Sequence, residues 1–256
     1  MPTGHEGWEM ASLFKRDVLT PLAILLVGIA ISGSILWSNQ RFIEAIRETS
    51  GGPPGPESTT GQIPPGQPDI AKVSTLGEPF IGNENAPVVM AYWFDYQCPY
   101  CRLLEEEVMP RLIADYVQTG KLKIVFKDFA FLGPDSETAG LASRAVWETA
   151  PEKFYEWHKA MFDRQDDENA GWGTKEDILA LTKTISGIDP AKVEDLMTSR
   201  AAVYQKAIGA DGAEGAGMGV DGTPGAIIGK KLIVGAEPYE QFKTAIDTQL
   251  SSAASQ

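Results

Sequence analysis

Cysteine is nearly absent from this chain of 256 residues: there are two, Cys98 and Cys101. A pair so close in sequence closes too small a loop to staple a fold, and a structural disulfide framework needs several more. Histidine is equally scarce, with His5 in the N-terminal tail and His158 alone in a helical pattern. A zinc site built on C-x-x-C needs two further soft ligands, so no metal is expected. Basic residues are outnumbered, 22 Lys and Arg against 35 Asp and Glu, for a net charge of −13. No basic patch with interleaved aromatics stands out, and binding to a phosphate backbone needs one; no nucleic acid is expected as partner. The glycine-rich stretch 209–222 lacks the Gly-Lys-Ser/Thr ending of a P-loop and reads as a mobile connection into a strand. What remains for the two cysteines is a redox dithiol.

The residues around them support that. Pro87 to Phe94 is a short, nearly unbroken apolar run, as in a strand buried on both faces. Arg102 to Met109 reads as a helix, with Leu104 and Val108 four apart on one face. Cys98-Pro99-Tyr100-Cys101 therefore sits where a strand turns into a helix. Unpaired N–H groups and a partial positive charge gather at a helix N-terminus. They stabilise a thiolate at the first position, as thiol–disulfide exchange requires, and Cys98 is expected to be the exposed, acidic thiol.

Long apolar runs are also few, but one is decisive. Val18 to Trp37 is twenty residues without a charge, about 30 Å as a helix and enough to cross a bilayer. It follows a short tail, 1–17, taken as cytoplasmic. The run exceeds a signal-peptide core of about 7–15 residues, which favours an uncleaved anchor over cleavage near Ser32-Gly33-Ser34. Lys15 and Arg16 on one side and Arg41 and Arg47 on the other leave the positive-inside rule tied. A dithiol is most useful on the oxidising side, so the expectation is a single-pass protein of the cell membrane with its domain extracytoplasmic. Residues 38–69 form a juxtamembrane segment and a Pro/Gly-rich linker.

The globular part spans 70–250. Leu122 to Phe129 reads as a strand, and 136–208 as helical throughout. Within it, Thr174-x-x-Asp177 looks like a capping box and Asp189-Pro190 like an N-cap with proline at N1. Thr223 to Val234 reads as a hairpin around Gly229-Lys230. Glu237-Pro238 opens a last helix with Tyr239, Phe242 and Ile246 inward, before a flexible tail at 251–256.

Three segments together carry a resemblance: Gly82-Asn83-Glu84-Asn85-Ala86-Pro87-Val88, Asp95-Tyr96-Gln97-Cys98-Pro99-Tyr100-Cys101, and Gly219-Val220-Asp221-Gly222-Thr223-Pro224. The chain resembles membrane-anchored DsbA-type thiol–disulfide oxidoreductases. The resemblance implies an α/β thioredoxin fold with an inserted helical domain, here about 136–208. It implies Cys98 as nucleophile, Cys101 as buried partner, Pro99 and Tyr100 as tuning dipeptide, and a cis-proline at Pro224, with Thr223 offering backbone to a substrate peptide. The cofactor is then none beyond the redox-active Cys98–Cys101 disulfide. The implied partners are exported proteins with cysteine thiols and a membrane oxidase that recycles the dithiol.

Two positions depart from the family pattern. Tyr92, six residues before Cys98, stands where members commonly carry Glu or Asp. Asp95 is retained and is a candidate for proton handling, but is expected at the surface. Cys101 is thus expected to lack a buried proton acceptor, which favours oxidation of substrates over their reduction. Gly225 replaces a bulkier residue after Pro224 and is expected to widen the substrate groove. The expected function is introduction of disulfides into exported proteins. The alternatives are a reductase or isomerase of the same fold, a glutathione-dependent enzyme of a related fold, and a redox-inert binding module on a tether.

Overall fold

The computed structural model describes residues 66–253. The expected tail over 1–17, the span over 18–37 and most of the linker over 38–69 lie outside the described residues. Among the described residues no helix is long and apolar enough to cross a membrane.

The sheet has five strands in the order β1 (Phe80–Ile81), β3 (Leu122–Asp128), β2 (Val88–Phe94), β4 (Gly225–Ile228), β5 (Lys231–Val234). β2 and β3 are parallel and the other pairs antiparallel. β2 is central, which explains its unbroken apolar sequence. Val88, Met90, Tyr92 and Phe94 enter the main core, while Ala91 and Trp93 enter a smaller one on the opposite face with Val73, Val220 and Ile227.

α1 (Pro99–Glu107) follows β2, and α2 (Met109–Leu112) widens into a π-helical turn over Ile113–Val117. Between β3 and β4 come α3 (Pro134–Thr149), α4 (Phe154–Arg164), α5 (Lys175–Lys183), α6 (Pro190–Ser199) and α7 (Ala201–Gly217). Thr174 and Asp177 form the capping box on α5, and Asp189 accepts from Ala191 N at 3.0 Å to cap α6. α8 runs through Tyr239–Ala253 and buries Tyr239, Phe242 and Ile246. This is the thioredoxin arrangement with a helical insertion.

The insertion is longer than the sequence suggests. Residues 209–217, read as a mobile connection, are the second half of α7. Glycine disfavours helix by about 1 kcal/mol per residue, but here it permits contact with the sheet. A Cβ on Gly215 would stand 2.7 Å from Trp93 Nε1, and one on Gly212 3.2 Å from Phe129. Trp93 Nε1 donates to the Asp211 carbonyl at 2.9 Å, fixing the approach. Gly215→Ala is therefore expected to destabilise by about 1–3 kcal/mol through overpacking. Gly209→Ala, with nothing within 4 Å of the added atom, is expected to stabilise by about 0.5–1 kcal/mol. Denaturant unfolding of the two variants reads the opposite signs.

α7 is held by charge as well. The Lys127 ammonium on β3 lies 2.5 Å from Asp211, 3.1 Å from Glu214 and 3.3 Å from Glu78. The Arg144 guanidinium on α3 meets Asp128 and Glu78 at 2.6 Å each, and also Asp211. Lys127, Asp128, Arg144 and Asp211 are all buried. Burial, reinforced by Asp128 and Glu78 and opposed by Arg144 and Lys127, pushes Asp211 up to about 7.

Candidate active site

Cys98 is the N-cap of α1, with Pro99 at the first helical position, where no N–H is needed. The Cys101 and Arg102 N–H groups both donate to the Cys98 carbonyl, at 3.1 and 3.2 Å. The two cysteines are free thiols. Cys101 is wholly buried. Cys98, expected to be exposed, keeps only 4 % of its surface, because Thr223 lies over it: the Cys98 thiol donates to the Thr223 carbonyl at 3.3 Å. The Thr223–Pro224 bond is cis. Tyr100 is 64 % exposed. So Cys98, Cys101, Pro99, Thr223 and Pro224 come together, and Tyr100 forms an outer rim.

The two sulfurs titrate apart. Cys98 is lowered to about 6, mainly by the hydrogen bond from the Cys101 thiol, with help from Thr223 and the N–H groups of Tyr100 and Cys101 and against burial. The Thr223 hydroxyl is buried with no hydrogen-bond partner of ordinary geometry among the described residues and favours the thiolate; the Thr223 carbonyl, accepting from the thiol, favours the protonated form. Burial, then the neighbouring Cys98, pushes Cys101 well above the ordinary thiol range.

Asp95 is not at the surface. It is 1 % exposed, and its carboxylate accepts from Gln97 N at 2.8 Å, Phe131 N at 2.9 Å, Leu132 N at 3.1 Å and Ser136 Oγ at 2.6 Å. With four donors on it, the carboxylate pins the loop into α3 onto the dithiol turn. A second clamp comes from the end of α4: Gln165 Nε2 donates to the carbonyls of Tyr96 at 2.6 Å and Cys98 at 3.1 Å. A third is Asn169 N, which donates to Gln97 Oε1 at 2.9 Å. Gly225 does not widen a groove either. It is buried in β4, where a Cβ would stand 2.6 Å from Val220.

Beneath the dithiol lies a polar group that the sequence reading missed. Glu105 is 1 % exposed. It accepts from His158 Nε2 and from the Tyr155 hydroxyl, each at 3.1 Å. His158 Nδ1 meets the Tyr96 hydroxyl at 2.9 Å, and Tyr96 meets Ser143 at 3.2 Å. The rings of Phe94, Phe126 and Phe162 close around His158, with centroids 4.6–5.1 Å away. A buried carboxylate is thus present on α1, one helical turn after Cys101, although position 92 carries Tyr92. Glu105 hides in the run Glu105-Glu106-Glu107, which reads as a solvated face. The available signal was its place four residues after Cys101, on the side of α1 that carries Leu104.

The chain is similar to known proteins over most of its length. The family described as thioredoxin matches residues 74–248. The disulfide bond formation protein D of Bacillus subtilis is 28 % identical over 185 residues, covering 72 % of this chain and 80 % of the relative. The crystal structure of oxidised BdbD from Bacillus subtilis superposes with a TM-score of 0.64 at 29 % identity, covering 73 % of this chain and 97 % of that one. The thiol-disulfide exchange protein alpha-DsbA2 from Wolbachia pipientis gives a TM-score of 0.59 at 30 % identity over 68 % of this chain and 87 % of that one.

Proposed function

We propose a direction and a setting for a chemistry that follows from one premise: the chain belongs to the thioredoxin family, and within it is similar to DsbA-type members. It is an enzyme, a thiol–disulfide oxidoreductase. In the proposed reaction a substrate thiolate attacks Cys98 of the Cys98–Cys101 disulfide. The internal bond breaks, Cys101 leaves and takes up a proton, and a mixed disulfide forms. The substrate's second thiolate then attacks its own bonded sulfur. Cys98 leaves as a thiolate, and two electrons have passed to the enzyme.

The observation that carries this direction is the acidity of Cys98. A free cysteine near 8.5 is about 3 % thiolate at pH 7, whereas one near 6 is about 90 %, roughly a thirtyfold gain. Nucleophilicity per thiolate falls with pKa, by about tenfold over that interval. Attack by Cys98 therefore gains only about two- to threefold. Departure of Cys98 gains without that offset, because a more acidic thiol leaves faster. The acidity thus serves release of an oxidised substrate more than attack on one. It does not rest on the missing acid at position 92, where Tyr92 stands.

The proposed substrates are exported proteins with free cysteines, and the proposed recycling partner is a membrane oxidase. The proposed setting is a single-pass cell-membrane protein anchored by 18–37, with the domain extracytoplasmic. Thr223 and Pro224 are the proposed contact for substrate backbone, and the Cys98–Cys101 disulfide the only redox group required. In the reduced protein, thiolate absorbance is expected to titrate near pH 6 and to vanish in Cys98→Ser. A midpoint at 8.5 or above would remove the argument for an oxidase.

A further inference from the structure

The end of α4 reaches into the dithiol turn with one side chain. Gln165, which closes α4, is 6 % exposed. Its amide nitrogen has two N–H groups and meets two carbonyls of the turn, Tyr96 at 2.6 Å and Cys98 at 3.1 Å. Its Oε1 is buried and has no hydrogen-bond partner of ordinary geometry among the described residues. Turning the amide over would not relieve it, because Oε1 would then face two carbonyl oxygens, which only accept. A buried acceptor left without a donor is unfavourable. Methionine would fill the same space without that penalty, but it has nothing to donate. What Gln165 supplies is therefore the pair of donors.

The contact runs both ways. Arg102, the residue after Cys101, donates from its guanidinium to the Gln165 carbonyl at 2.9 Å, and its backbone N–H donates to the Cys98 carbonyl at 3.2 Å. Cys98, Gln165 and Arg102 thus close a ring of three hydrogen bonds. The Cys98 carbonyl has one more donor, Cys101 N at 3.1 Å. The donors from Cys101 and Arg102 belong to α1 and move with it. Gln165 belongs to the insertion and fixes Cys98 against it. Alignment matters because exchange at sulfur is a displacement, in which the attacking, central and leaving sulfurs must lie nearly in line. Cys98 meets substrate on one side and Cys101 on the other, so a swing of its backbone misaligns both. A misplacement of about 1 Å, caused by a group away from the chemistry, can slow a reaction about 100-fold.

We propose that Gln165 is a positioning residue of disulfide exchange, with Arg102 as its counterpart, and that together they hold the Cys98 sulfur in line with the Cys101 sulfur. This deepens the oxidoreductase reading and rests on it. Opening of the internal disulfide by a substrate thiolate passes through that alignment: the new bond to Cys98 forms as the bond to Cys101 breaks. The reverse step uses the same geometry. Cys101, its proton lost to the medium, attacks the Cys98 sulfur of the mixed disulfide. The Cys98–Cys101 bond forms, the bond to substrate breaks, and the substrate sulfur leaves as a thiolate.

The test compares two reactions of Cys98 in the full-length reduced protein at about pH 8. Alkylation by iodoacetamide needs a free thiolate but no alignment with a second sulfur. Resolution of the mixed disulfide formed with a small peptide disulfide, followed as release of the second half of the peptide in a single turnover, needs that alignment. Gln165→Met is expected to slow resolution about tenfold or more and to change alkylation by less than about threefold. Gln165→Glu keeps the shape and replaces the donors by acceptors; it is expected to slow resolution at least as much. A residue that only holds the fold together would lower the unfolding midpoint and leave the ratio of the two rates native. Arg102→Met decides the matter if neither Gln165 variant folds, because the Arg102 side chain is 40 % exposed, with Glu106 at 3.9 Å. Measured in about 1 M salt, where charges act over only about 3 Å, it is expected to slow resolution threefold or more with alkylation again near native. A native ratio of the two rates in a folded Gln165 variant, or failing those in Arg102→Met, overturns the proposal. Failure of the native protein to react with the peptide disulfide overturns instead the oxidoreductase reading beneath it.

Discussion

Replacing Cys98 by serine is expected to abolish exchange to the uncatalysed background. Replacing Cys101 by alanine is expected to leave a protein that captures disulfides and cannot let them go. The asymmetry follows from position. Cys98 is the N-cap of α1, receives hydrogen bonds from the start of that helix, and is lowered to about 6. A serine hydroxyl there is far too weak an acid to ionise, and no oxygen in that place forms a disulfide. Cys101, wholly buried and pushed up, never meets substrate; its part is to displace it. Incubation with a peptide disulfide followed by mass measurement distinguishes the two variants. Adduct on Cys101→Ala and none on Cys98→Ser is the expected result, and the reverse would exchange the roles. The pH dependence of capture has a fixed sign. Cys98 ionises at lower pH in the folded reduced protein than in the unfolded chain. This contributes stability to the reduced form that is present above the unfolded pKa and is lost as pH falls through about 6. With both cysteines present, attack by Cys98 should therefore be half-maximal near pH 6 and level off about a unit higher, and in Cys101→Ala, which lacks the largest of the hydrogen bonds lowering Cys98, capture should need a higher pH.

The second large effect concerns stability. Arg144→Met is expected to destabilise the fold by about 3–5 kcal/mol, the usual cost of breaking a buried ion pair from one side. The guanidinium is nearly covered and joins Asp128, Glu78 and Asp211, of which Asp128 has no other cationic partner among the described residues. Methionine fills much of the volume but leaves carboxylates buried without that partner. The loss should be smaller at low pH. Burial already holds Asp128 and Asp211 above the ordinary carboxylate range with the cation in place, and without it their folded-state pKa values rise further. Groups raised in this way stabilise below the unfolded pKa and lose that contribution as pH climbs through the folded one. Unfolding of both proteins at about pH 5 and pH 8 is the check: a penalty that does not grow with pH would mean that the cluster contributes by packing and not by charge.

Much of this fold could be read from local sequence because local and global preferences agree. The apolar run of β2, the Thr174–Asp177 box, the Asp189–Pro190 cap and the Gly229-Lys230 turn each state their own structure. The parts that escaped depend on partners distant in the chain. α7 continues through Gly212 and Gly215 because Trp93 and Phe129 lie against them, and nothing in 209–217 names those residues. Lys127 sits in a strand whose alternation would place it in solvent, yet its charge is buried among Glu78, Asp211 and Glu214. Asp95 looks like a surface residue of a turn until the backbone of Phe131 and Leu132 arrives to occupy it. Glu105 needs His158, 53 residues later, to become a buried carboxylate rather than one of three in an exposed run.

The clamps on the dithiol turn bear on how such proteins can be taken apart. Asp95 holds the entry to α3, and Gln165 and Asn169 reach back from the end of α4 to Tyr96, Gln97 and Cys98. The reactive loop is therefore a joint product of two stretches of polypeptide, and the inserted helices are not a detachable module. Transplanting the eight residues from Phe94 to Cys101 into a scaffold without the insertion would carry over both sulfurs and lose the framework that orients them. In recombination between related genes, the crossovers that preserve this chemistry are those that keep 94–101 and 131–169 from the same parent.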